Sequence, residues 1–143
     1  MGFSLDLSKF AKLTEKKLEK TVIGASIDMF SGVIEDSAVD SGRMRNSWFV
    51  DFDGFANGVS DSTSKGDKVI KDMKRKVKKF KIGQTITFTN NMDYAIVNEY
   101  GLHQPKESDG VSGGFSKKSP QGMVGINVMR VQKWIDLEAR KLN

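Results

Sequence analysis

The sequence predicts an α+β fold, with long N- and C-terminal helices packed on a small antiparallel β-sheet and a basic helix in the middle. Three observations predict it. Apolar residues recur at steps of three and four near both ends of the chain. Two short central runs alternate apolar and polar residues. Between those runs lies a lysine-rich segment with an apolar residue every third or fourth position.

The first helix is expected from Ser8, a suitable N-cap, to between Asp36 and Val39. Its apolar face is Phe10, Leu13, Leu18, Val22, Ile23, Ile27, Met29, Phe30, Val33 and Ile34, with Lys12, Glu15, Lys16, Glu19 and Lys20 opposite. Asp40-Ser41-Gly42 supplies turn chemistry. Ser47 to Asp53 alternates as a strand, and Phe55 to Ser60 is expected to return as a second strand after Gly54. Ile70, Met73, Val77 and Phe80 mark a helix over Lys68 to Phe80, closed by Gly83. Gln84 to Thr89 is the next strand, its threonines and phenylalanine suiting a half-buried pleated surface. Met92 to Tyr100 reads as a short helix stopped by Gly101. Leu102 to Ser119, rich in glycine and serine, is expected to be an irregular, flexible loop. Ser119-Pro120 opens the last helix as N-cap and N1, with Met123, Val124, Val128, Val131, Trp134, Ile135 and Leu142 on its apolar side.

A length of 143 residues suits one domain over 1–143, and 38% hydrophobic with 29% charged residues suits a water-soluble core-forming chain. No run approaches the ~18 apolar residues of a membrane helix, so no membrane partner is expected. The first residues lack the basic flank and apolar core of a signal peptide. Cysteine is absent, which excludes disulfides, thiol catalysis and thiolate-bound metal, and the single histidine, His103, is too little for a multi-histidine metal site. Gly110 to Gly114 lacks the following Gly-Lys-Ser/Thr of a phosphate loop. Asp51-Phe52-Asp53-Gly54 fails as a calcium loop, because Phe55 and Ser62 stand at ligand positions. No cofactor, metal or catalytic residue is assigned, and an enzyme is not expected.

The formal net charge is +5, and its clearest concentration is Lys71, Lys74, Arg75, Lys76, Lys78, Lys79 and Lys81, with Asp72 the one acid among them. Two readings stand: a solvated face opposite the apolar stripe, or contact with DNA phosphates or an acidic partner through Lys71, Lys74, Arg75, Lys78, Lys79 and Lys81. A single-strand platform is not indicated, because only Phe80 is nearby and it belongs to the apolar stripe.

Two segments are more specific. Ala38-Val39-Asp40-Ser41-Gly42-Arg43-Met44-Arg45-Asn46-Ser47-Trp48 joins a helix to a strand. The second is Thr87-Phe88-Thr89-Asn90-Asn91-Met92-Asp93-Tyr94-Ala95-Ile96-Val97-Asn98-Glu99-Tyr100-Gly101, followed by a variable loop and then Ser119-Pro120-Gln121-Gly122-Met123-Val124 opening a terminal helix. In this order and spacing they resemble the tail-completion (neck, or minor tail) family of long-tailed double-stranded-DNA bacteriophages and prophages, over roughly residues 10 to 140. The family pattern reads V-D-T-G-x-L-R-x-S-W and N-x-x-x-Y-A-x-x-x-E-Y-G. Ser41 and Met44 depart from it, standing where threonine and leucine are usual.

The resemblance implies a virion protein without catalysis. It would form a homo-oligomeric ring, often a hexamer in that family, at the head–tail junction, completing the tail for joining to the head. Its partners would be copies of itself, the terminator, the tail tube, the head-completion or connector proteins, and DNA in the channel. The same outline fits a tail terminator ring. A non-specific DNA-binding module acting through residues 71–81 is a further alternative, suggested by charge alone.

The motif residues Asp40, Ser41, Gly42, Arg43, Arg45, Trp48, Tyr94, Ala95, Glu99, Tyr100 and Gly101 are read as maintaining the fold. Gly42 permits a positive φ at the corner, and Asp40 or Ser41 ties down its backbone. Trp48 anchors the core, and Tyr94 and Tyr100 suit a sheet–helix seam. Arg43 or Arg45 is expected to pair with Glu99 and lock the segments together.

Overall fold

The computed structural model describes residues 4–6, 14–39, 42–103, 111–112 and 114–141. Its elements run α1 (Glu15–Asp36), α2 (Arg43–Asn46), β1 (Trp48–Phe52), α3 (Asp67–Val77), β2 (Ile86–Asn90), α4 (Ala95–Tyr100), β3 (Val111–Ser112), β4 (Phe115–Ser116) and α5 (Val124–Arg140). This is the α+β arrangement of two long helices around a small antiparallel sheet. Among the described residues, Thr14 caps α1, its side chain accepting from the Lys17 amide; Ser8, Phe10 and Leu13 lie outside them.

β1 pairs antiparallel with β2, from Trp48 opposite Asn90 to Phe52 opposite Ile86. Residues 55–60 are not the expected second strand. Asp53 turns the chain at φ 57, and its carboxylate accepts from the Thr85 amide at 2.8 Å. Asn91 then donates to the carbonyls of Ala56 and Gly58, holding that stretch as a loop. The strand that pairs with β1 is β2, and its Ile86 and Phe88 pack against the core.

Trp48 and Val50, on one face of β1, meet Phe30, Val33 and Ile34 of α1 and Met73 and Val77 of α3. Phe30, Phe88 and Trp48 form a ring stack with centroids 4.1 and 4.6 Å apart. A second cluster, Ala25 with Val131, Ile135 and Ala139, seals α1 against α5. Burying each of the larger apolar side chains here contributes on the order of 1.5–3 kcal/mol, so these two seams dominate stability.

The remaining corrections concern boundaries. α3 ends at Val77, and residues 78–80 continue as tight turns, so Gly83 lies beyond the helix rather than closing it. The 102–119 stretch is not irregular throughout: β3 and β4 form a hairpin, with residues 104–110 and 113 outside the described set. Ser119 does not cap α5. Residues 119–122 form a turn, the Ser119 hydroxyl donates to the Asp36 carbonyl, and α5 starts at Val124. Trp134 is 42% exposed and so leaves the apolar side assigned to it; Leu142 is outside the described residues.

Candidate functional site

The two sequence motifs meet in one corner where α1 ends, β1 begins and α5 starts. Gly42 is left-handed at φ 88, and a Cβ there would stand 2.9 Å from the Thr63 carbonyl oxygen, so conformation and space both require glycine. Asp40 and Ser41, the residues expected to tie this corner down, lie outside the described residues. The tie that the structure displays is buried Asn46. Its amide donates to the carbonyls of Gly42 at 2.9 Å and Ser64 at 2.8 Å, and its oxygen accepts from the Ser64 hydroxyl at 2.9 Å.

Trp48 is buried as expected. Its indole N–H donates to the Ser37 hydroxyl at 2.8 Å, and that hydroxyl donates to the Val33 carbonyl at 2.7 Å. The ring therefore packs the core while a polar relay satisfies its one donor.

The expected arginine–Glu99 pair is not formed. Arg43 pairs with exposed Asp61 at 3.2 Å. Arg45 donates to the carbonyls of Glu35 at 2.7 Å, Ser37 at 3.2 Å and Lys65 at 3.2 Å, which makes it the cap of the α1 C-terminus. Glu99 turns instead to α5. Its carboxylate, in a residue only 7% exposed, accepts from the amides of Met123 at 2.8 Å, Val124 at 2.7 Å and Gly125 at 2.8 Å. These are donors that the first turn of a helix leaves without partners, and the helix dipole favours an anion there. A carboxylate 24 residues upstream thus does the work that the sequence assigned to Ser119. The motifs do touch, through other atoms: Asn98 donates to the Met44 sulfur at 3.4 Å, and Asn90 donates to the Met44 carbonyl at 2.8 Å. His103 bonds to Asn98 at 2.9 Å.

Ala95 is buried and Gly101 ends α4 in the left-handed region at φ 66. A Cβ on Gly101 would lie 2.5 Å from the Phe115 ring, so this glycine seats β4 against α4. Tyr94 and Tyr100 do not fill a seam. They are 37% and 50% exposed, beside Ile96 at 52% and Leu102 at 58%. α5 also turns apolar groups outward: Ile126, Met129, Trp134 and Leu137 are all exposed.

On α3 the structure sorts the cations that the sequence grouped together. Lys68 and Arg75 both pair with Asp72, at 3.0 and 2.9 Å. Lys76 pairs with Asp51 at 3.1 Å, and Lys81 reaches Glu19 at 3.6 Å. The hydrogen bond from Lys68, together with the charges of Lys68, Arg75 and Lys71, holds the Asp72 carboxyl below its usual range. Lys71, Lys74, Lys78 and Lys79 are exposed and have no acidic partner among the described residues. A cleft of about 260 Å³ between α3 and β1 is lined by Trp48, Val69, Met73 and the paired Lys68, Asp72 and Lys76. Among the described residues no three acidic or histidine side chains gather where a metal ion would sit, and no helix is long and apolar enough to cross a membrane.

Sequence reasoning missed Asn46, Ser37 and Asn127, the polar groups that join the helices. Asn127 donates to the Asp36 carboxylate at 2.8 Å and to the Met123 carbonyl at 2.7 Å, tying α5 to the end of α1. Asn46 carried a signal, since it lies inside the first motif; Ser37 and Asn127 lie in apolar stripes where period alone gives no reason to single them out. No protein-family model, curated protein or solved structure matches the chain.

Proposed function

We propose that this protein is a structural subunit of a tailed-phage virion. Copies of it would form a ring, hexameric by the motif resemblance, at the head–tail junction, completing the tail so that the head joins it. Before assembly the subunit would reside in the host cytoplasm. Its partners are further copies of itself and the tail and connector proteins on either side, and the role requires no catalysis.

One structural observation supports this reading beyond the motifs. Met129 is 74% exposed, and Ile96, Tyr100, Leu102, Trp134 and Leu137 are between 42% and 58% exposed, on a chain whose core is already closed by other residues. Apolar and aromatic groups left outside a complete core are the composition of an assembly surface. Ile96 and Tyr100 lie on α4, in the second motif, with Leu102 just after it; the others lie on α5, which Glu99 of that motif holds in place.

Light scattering on the purified protein, alone and with tail tubes, tests the proposal. A ring-sized mass in either condition is expected, and Met129→Glu with Leu137→Glu should return it to the monomer without altering the circular dichroism spectrum. A wild-type protein that stays monomeric in both conditions would overturn it. A ring that forms only on tail tubes, but leaves head joining unaffected when removed, would favour the tail terminator over the completion role.

A further inference from the structure

The outer face of α3 serves neither the core nor the corner. Lys71, Lys74, Arg75 and Lys78 stand at i, i+3, i+4 and i+7, which places them on one stripe, opposite buried Met73 and Val77. Cations at these spacings repel one another, and α3 carries only two acids of its own, Asp67 and Asp72. Asp72 is already shared between Lys68 and Arg75. α3 and its C-cap Lys78 thus present three lysines on that stripe, Lys71, Lys74 and Lys78, that have no ion pair among the described residues.

We propose that Lys71, Lys74 and Lys78, flanked by Lys79, form a contact surface for the phosphate backbone of duplex DNA. The three lysines span about 10 Å of helix at ~1.5 Å per residue, the axial rise of about three successive phosphates on one strand at ~3.4 Å each. No exposed aromatic residue stands among them on which an unpaired base could stack, so the duplex is favoured over a single strand. No exposed large apolar residue stands among them either, and lysine is depleted in protein–protein contact cores, so DNA is favoured over an acidic protein. Backbone contact carries no base reading, and the binding is independent of sequence. The inference deepens the proposed role, where a ring subunit would meet DNA passing the junction, but its test does not require a ring.

The experiment is fluorescence anisotropy of the full chain with a labelled 30-base-pair duplex of arbitrary sequence, between 50 and 200 mM salt. Each phosphate contact contributes a slope of about −0.9 in log K against log salt. Lys71→Gln/Lys74→Gln/Lys78→Gln should therefore flatten the slope by about 2–3 and weaken binding at least tenfold at the low-salt end. Lys68→Gln/Lys76→Gln/Lys81→Gln removes the same charge from positions paired with Asp72, Asp51 and Glu19 and should change the slope by less than about 1. Circular dichroism and thermal melting check that both variants fold, and the stripe variant should melt within about 2 °C of wild type or above it.

The proposal is overturned if wild type fails to bind at 50 mM salt, or if the paired-cation variant loses as much as the stripe variant. It is equally overturned if an unlabelled single strand, or polyglutamate of equal charge, competes better than duplex. A wild type that forms rings but does not bind the duplex refutes this surface alone, and a wild type that binds the duplex but stays monomeric in every condition refutes the ring alone.

Discussion

The corner built by the two motifs and the outer face of α3 treat polar groups in opposite ways. In the corner, Glu99, Asn46, Asn98 and Ser37 are buried, and each side chain is matched to named donors or acceptors. On α3 and in the turn after it, four lysines stand in water with no acidic partner among the described residues. Buried polar groups are expensive unless satisfied, so the corner is a device for holding elements in one geometry. Exposed charges cost little to keep and add little to stability, so a row of them is free to serve a partner.

Substitutions that sharpen this contrast fall in a definite order. Trp48→Ala should cost the most, about 4 kcal/mol, because it empties the ring stack and leaves the Ser37 hydroxyl without its donor. At about 3 °C per kcal/mol for a chain of this size, the melting temperature should fall by more than 10 °C. Glu99→Ala follows at about 3 kcal/mol, since three amides of α5 lose a charged acceptor, and Glu99→Gln should recover part of that loss. Chemical denaturation of both variants measures it. If Glu99→Ala were as stable as wild type, the corner would not be the device described. Gly101→Ala should cost about 2 kcal/mol, from strain at positive φ and the collision with Phe115.

The α3 variants belong at the other end of the scale. Replacing Lys71, Lys74 and Lys78 with glutamine should leave stability within about 0.5 kcal/mol or raise it. A large loss would erase the distinction between the two regions.

The smallest effect is a pH dependence at Asp72. Its folded pKa lies below the ordinary 3.8, so the ionised form is the one favoured by folding. The stability it contributes is present above pH 3.8 and is lost as pH falls through the lowered folded value. The melting difference between wild type and Asp72→Asn should be constant above about pH 5 and shrink below the ordinary carboxylate pKa.

How much of this was legible in advance differs between the regions in the same way. The α+β class, the apolar stripes of α1 and α3, the β1 and β2 alternation, the glycine at 42 and the cationic bias of α3 were all readable, because each is a property of one segment. Period fixes which face of an element is apolar, and a positive φ or a run of lysines is local.

What only the tertiary structure decided is pairing between segments. Residues 55–60 alternate well enough for a strand, but β1 pairs with β2, and Asn91 bonds to the carbonyls of Ala56 and Gly58. Ser119-Pro120 has local capping chemistry, but the Glu99 carboxylate offers charge to three amides at once and α5 starts there instead. Arg45 was drawn to the α1 carbonyls rather than to Glu99. Which of the α3 cations are neutralised depends on Asp51 and Glu19, residues 25 and 62 positions away from their partners. The reason is physical: a polar or charged side chain bonds to whatever the fold brings within about 3 Å, and that distance is not written in the order of residues along the chain.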